Sequence, residues 1–153
     1  KVDQLDRWFL LDLVHEADIV FVANAWKFWE AKLLDRSFKN LVRDFGDKFW
    51  IFGVKGTTRS WLDFEALDIT KQSQSPAKAL PTDNGVMVNK LIRDRVRNFI
   101  DPYEWLCDES ECKVTDVEGR ILQFDVFHLT KLGAESLGFW QRTTFFDTEI
   151  ITR

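Results

Sequence analysis

The 153 residues carry 21 Lys and Arg against 25 Asp and Glu, a net charge of −4, with 45% hydrophobic and 30% charged residues. This balance excludes intrinsic disorder as a general description, and a globular chain of this length buries about 70% of its unfolded surface. A net negative charge offers a phosphate backbone no broad attraction, so nucleic acid is not an expected partner, and apolar stretches such as residues 19 to 26 fall short of the roughly 20 residues that a membrane helix needs.

Residues 3 to 17 place Leu5, Trp8, Phe9 and Val14 close to a helical period and read as an amphipathic helix. The run DIVFVANA at 18 to 25 is apolar and rich in β-branched residues, as expected of a strand covered on both faces and paired in parallel. From Trp26 onward, Trp29, Leu33, Leu34, Phe38, Leu41, Val42 and Phe45 follow helical spacing, and Gly46 stands where a C-terminal glycine belongs. Residues 48 to 54 form a second short apolar strand, completing a βαβ unit whose two strands should lie side by side and parallel.

The pattern then dissolves through GTTRSW, a short apolar piece at 62 to 69 and a polar run, of which 71 to 82 is expected to be an exposed linker or lid. Thr82 or Asp83 can cap a helix reaching about Phe99, with Lys90, Arg93, Arg95 and Arg97 as its solvated outer face and Pro102 as its stop. Ile121 to Phe124 read as a strand, followed by a helix from about Thr130.

Only His15 and His128 can supply an imidazole. His15 ends the first helix, where its ordinary role is to meet the last carbonyls and the negative end of the dipole. His128 stands three residues after Asp125, with both expected at the carboxyl end of a strand, where open α/β sheets hold ligands. At this spacing an Asp can accept the imidazole Nδ1–H, fix the tautomer and leave Nε2 to deprotonate a hydroxyl. The same spacing also suits a turn-forming acid beside a polar helix start. Cys107 and Cys112 would close a six-residue loop as a disulfide, worth about 2 kcal/mol by chain entropy. Two Cys and two His also number four zinc ligands, and free thiols are a third reading.

The run from Cys107 to Leu137, CDESECKVTDVEGRILQFDVFHLTKLGAESL, resembles the carboxyl-terminal block of SGNH hydrolases. More narrowly, it resembles the SGNH-type domain attached to bacterial membrane O-acyltransferases of surface polysaccharides. The resemblance lies in the order of a cysteine pair, a turn at Glu118 and Gly119, an apolar strand, Asp125 and His128 with Leu129, and a helix with Gly133 and Ala134. It implies a three-layer α/β/α, flavodoxin-like domain with a mostly parallel sheet, acting on carbohydrate or acyl esters in the periplasm with no metal or organic cofactor. By the same resemblance Asp125 is the orienting acid and His128 the general base of a Ser-His-Asp triad. Asn24, just after the central strand, is the position nominated for an oxyanion donor. The family's Gly-Asp-Ser is not found in these residues, the nearest string being Gly46-Asp47-Lys48. The expectation is therefore that the first strand and the serine lie upstream of Lys1, the chain being the carboxyl-terminal part of a longer protein with a membrane acyltransferase domain ahead of it. The competing reading is a non-catalytic module of the same fold that binds glycan or a partner protein.

Overall fold

The computed structural model describes residues 12–66, 77–108 and 111–146. They gather into two compact units, one holding residues 12–54 and 87–100 and the other the described residues of 55–86 and from 101 onward.

In the first unit, residues 12–16 are helical (α1), and the earlier part of the expected helix lies outside the described residues. Strand β1 (Val20–Ala23) leads to α2 (Phe28–Phe45) and β2 (Phe49–Phe52), and the two strands pair in parallel with Val20 opposite Phe49 and Ala23 opposite Phe52. Ala31, Leu34 and Phe38, at i, i+3 and i+7, are the buried face of α2. They pack with Phe49 and Ile51 of β2 and with Val88, Ile92 and Val96 in one apolar cluster. Helix α2 starts two residues later than its apolar spacing implies: Lys27 is extended and its N–H donates to the Glu30 carboxylate at 2.8 Å, while the Trp26 indole N–H donates to the Phe52 carbonyl at 2.7 Å. It stops at Gly46, whose φ of 81° lies in the left-handed region that glycine enters without steric cost.

Helix α4 (Asp83–Arg93) is shorter than expected. Phe99 and Ile100 are not its last turn but strand β4, parallel to β2, giving a three-stranded sheet in the order β1-β2-β4. The spacing of Val96 and Phe99 mimics a helical face, yet the side chain of Asn98 donates to the carbonyls of Asp47 and Phe49 and carries the backbone into the sheet. Arg95 and Arg97 accordingly fall beyond the helix end, and Arg97 faces Asp47 at 3.5 Å.

The second unit holds α3 (Trp61–Ala66), β3 (Lys78–Ala79), α5 (Pro102–Leu106), β5 (Cys107–Asp108), β6 (Glu111–Lys113) and α6 (Lys131–Gln141). Strands β3, β6 and β5 make a small antiparallel sheet. Of the expected linker at 71–82, residues 71–76 lie outside the described residues, and the remainder contains β3. Pro102 starts a helix instead of stopping one: Asp101 Oδ1 accepts the Tyr103 N–H at 3.0 Å, and a proline at the first helical position costs no backbone bond. Cys107 and Cys112 stand opposite each other across β5 and β6 and are joined as a disulfide, which removes the zinc and free-thiol readings.

Candidate active site

The residues Ile121 to Phe124 do not form the strand that their apolar run suggests. Thr115 bridges Ile121, and Gln123 bridges Leu129, both antiparallel, so the chain reverses between 123 and 129. Asp125 and His128 thus occupy a tight loop, not the carboxyl end of a parallel strand. The Phe124 N–H donates to the His128 carbonyl at 3.0 Å and closes the loop.

Asp125 both shapes this loop and holds the ring. Its Oδ1 accepts the N–H groups of Phe127 and His128, each at 2.8 Å, the local bonding by which an aspartate stabilises a turn. That leaves Oδ2 facing His128 Nδ1 at 2.7 Å. The Phe127 N–H, joined by the ring and N–H of His128, holds the Asp125 carboxyl below the usual carboxylate range, although partial burial pushes the other way. An ionised Asp125 selects the imidazole tautomer with its proton on Nδ1, so Nε2 carries the free lone pair. The His128 side chain is 77% exposed and Nε2 has no hydrogen-bond partner among the described residues.

The loop is seated by Lys55, Gly56 and Thr57. The Thr57 N–H donates to the Val126 carbonyl at 3.1 Å. The fully buried Gln123 accepts from Lys55 Nζ at 3.1 Å through Oε1, which also lies 3.3 Å from the Thr57 hydroxyl, itself bonded to the Arg59 carbonyl at 2.9 Å, and its Nε2 donates to the Lys113 carbonyl at 2.6 Å. Burial lowers the Lys55 ammonium to about 8, partly countered by the charge of Asp125. Tyr103, the single tyrosine, brackets Gly56 from the other side. Phe127 lies over Gly56, and both Phe124 and Phe127 are exposed. On the far side of the reversal the Thr130 hydroxyl donates to the Ile121 carbonyl at 2.6 Å and accepts the Gly133 N–H at 3.1 Å, capping α6. A Cβ on Gly133 would collide with the Leu122 carbonyl oxygen, so only glycine lets α6 start this close to the reversal.

The other sequence candidates fall elsewhere. His15 is exposed in α1 with its ring against Phe45, and the carbonyls at the end of α1 are met by Lys48 Nζ, at 3.0 Å from His15 O and 3.1 Å from Ala17 O. The lysine performs the role expected of the imidazole. Asn24 directly follows β1 and is exposed, with no hydrogen bond among the described residues. Ser60 is no candidate nucleophile, since its buried hydroxyl donates to Asp63 at 2.8 Å. Lys55, Thr57, Gln123 and Tyr103 were not legible as site residues. The available signals were a glutamine inside an apolar run and a Lys-Gly-Thr string directly after a buried strand.

No curated protein matches the sequence. Among solved structures, the chain is similar to the periplasmic domain of a lipopolysaccharide acetyltransferase from Salmonella ser. Paratyphi A, with a TM-score of 0.64 and 16% identity. The match covers 85% of this chain and 57% of that one, so the present residues span a little over half of that domain's length. Its fold is the mixed α/β architecture with a parallel sheet described above. The family model described as "SGNH domain (fused to AT3 domains)" matches residues 3–139, and the chain belongs to that family.

Proposed function

We propose that Asp125 and His128 are the acid and base of a Ser-His-Asp triad that transfers an acetyl group to, or removes one from, a surface polysaccharide. The observation that carries the reading is the 2.7 Å contact between Oδ2 and Nδ1 on a largely exposed ring whose Nε2 is unpartnered among the described residues. Packing does not demand this arrangement, and base catalysis does. Family membership and the likeness to a periplasmic acetyltransferase domain support the substrate class, a periplasmic location and a membrane acyltransferase domain in the same protein.

In this mechanism the serine is supplied by residues upstream of Lys1. His128 Nε2 takes the proton from the serine hydroxyl as its oxygen attacks the acyl carbon. Nε2 then gives that proton to the departing alcohol oxygen, leaving the acyl-enzyme. An incoming sugar hydroxyl or water loses its proton to Nε2, attacks the acyl carbon, and the serine recovers its proton. Asp125 stays ionised throughout and stabilises the imidazolium.

The test is to incubate the protein, with its upstream residues, with a chromogenic acetyl ester and look by mass spectrometry for one acetyl group on a serine. An acetylated serine together with ester turnover supports the triad. Neither product nor adduct favours the second reading, a non-catalytic module that presents the exposed rings of Phe124 and Phe127 to a glycan or partner protein.

A further inference from the structure

The segment from Phe124 to His128 buries little apolar surface, since Phe124, Phe127 and His128 are all exposed. Its place in the second unit therefore rests on hydrogen bonds. Among the described residues four of these stay inside the segment: the Phe124 N–H to the His128 carbonyl, the N–H groups of Phe127 and His128 to Asp125 Oδ1, and Asp125 Oδ2 to His128 Nδ1. They fix the shape of the acid–base pair but not the direction in which it points. One bond leaves the segment, from the Thr57 N–H to the Val126 carbonyl at 3.1 Å.

Thr57 is fully buried and fixed by its own surroundings. The residues on either side of it pair with the stretch ahead of α4: the Thr58 N–H donates to the Leu80 carbonyl at 2.8 Å and the Thr82 N–H to the Gly56 carbonyl at 2.9 Å, with Pro81 opposite Thr57. The Thr57 hydroxyl donates to the Arg59 carbonyl at 2.9 Å and lies 3.3 Å from Oε1 of Gln123, the residue directly before the segment. The Gln123 amide is held in turn by Lys55 Nζ and the Lys113 carbonyl. Thr57 thus meets the tip of the segment with its N–H and the base with its hydroxyl. A single bond at the tip would let the segment pivot, and the hydroxyl supplies the second point.

We propose that Thr57 is a positioning residue for the pair, holding the segment at tip and base so that His128 Nε2 points in one direction. This role rests on the reading of Asp125 and His128 as the acid and base. A general base acts only where it meets the proton it removes, and a displacement of about 1 Å can cost roughly 10²-fold in rate. Asp125 cannot supply this constraint, because it moves with the ring that it holds.

The experiment has two readouts. Thr57→Val keeps the side-chain volume and the N–H and removes the hydroxyl, whereas Thr57→Ser retains the hydroxyl. In the acetyl-ester assay on the protein with its upstream residues, Thr57→Val should lower kcat by roughly tenfold with KM little changed, and Thr57→Ser should recover most of the loss. The pH midpoint of kcat/KM should stay where it is, because the bonds to Asp125 and to the His128 ring all lie within the segment. The second readout needs no turnover. Nitrogen NMR relaxation should find the amides of Val126, Phe127 and His128 rigid in the unsubstituted protein and mobile in Thr57→Val.

Near-ultraviolet circular dichroism of the tryptophans verifies that each variant is folded. Unchanged kcat, unchanged amide mobility or a shifted pH midpoint in folded Thr57→Val overturns the proposal. In the unsubstituted protein the Thr57 amide should exchange slowly with deuterium, and rapid exchange there overturns it even if no variant folds. Absence of turnover in the unsubstituted protein counts against the triad alone, and the amide mobilities then decide whether Thr57 holds the segment.

Discussion

The Tyr103 hydroxyl donates to the Gly56 carbonyl at 2.7 Å and accepts the Gly56 N–H at 3.1 Å, so one side chain meets both backbone polar groups of a buried residue. Gly56 connects Lys55 to Thr57, the two side chains that meet Gln123 beneath the Asp125 loop. Tyr103→Phe keeps the ring and removes both bonds. The carbonyl retains the Thr82 N–H at 2.9 Å, but the Gly56 N–H is left without a partner. The expected cost is about 1–3 kcal/mol, read as a lower urea midpoint at unchanged slope. An unchanged midpoint would mean that water replaces the hydroxyl without loss.

The disulfide gives a second prediction. Cys107 and Cys112 are bonded, and no described cysteine is free. Thiol titration of the denatured, unreduced protein should find no reactive thiol. Replacing both residues by serine should cost about 2 kcal/mol, the modest value that the entropy model gives for so short a loop. Two titratable thiols in protein prepared without reductant would contradict the pairing and weaken the proposed periplasmic location.

The pH dependence of stability follows from two groups of opposite sign. Asp125 titrates below its ordinary range in the folded chain, so its contribution is present above the unfolded value of about 3.9 and is lost as pH falls through the folded one. Lys55 is lowered to about 8 by burial. Between 8 and about 10.4 the unfolded chain holds a proton that the folded chain has released, so stability rises with pH across that window. The penalty is fully present at pH 7. Lys55→Met should therefore be more stable than the parent at pH 7, and the difference should shrink toward pH 10.5. Urea unfolding at the two pH values measures it, and a Lys55→Met protein less stable at pH 7 would show that the ammonium is not paying a burial penalty.

The first βαβ unit was legible because its signals are local: β-branched runs for β1 and β2, a 3.6-residue apolar stripe for α2, and a glycine at its end. The errors share a different cause. Phe99 sits three residues after Val96 and looks like one more turn of helix, but its fate is decided by Asn98 reaching the carbonyls of Asp47 and Phe49, some fifty positions earlier. Ile121 to Phe124 are apolar enough for a strand, yet Gln123 turns its amide inward to three distant partners and the chain reverses instead. Long-range hydrogen bonds of buried polar side chains leave no periodicity to read.

The candidate site divides in the same way. Asp125 and His128 could be found because their contact is made within a single turn, where spacing alone brings carboxylate and imidazole together. Lys55 meets Gln123 from the segment after β2, and Tyr103 reaches that segment from α5. Neither connection exists until the second unit folds. His15 shows the converse, since a histidine at a helix end is a reasonable partner for the last carbonyls, but Lys48 has the longer reach and occupies them.

The central claim is that His128 is a base held by Asp125, and acetyl-ester turnover by the protein with its upstream residues tests it most directly. His128→Ala should reduce kcat by several orders of magnitude, Asp125→Asn by about 10⁴ through the wrong tautomer, and His15→Ala hardly at all. If the protein turns over the ester and His128→Ala leaves the rate unchanged, the assignment of Asp125 and His128 as the acid–base pair is wrong.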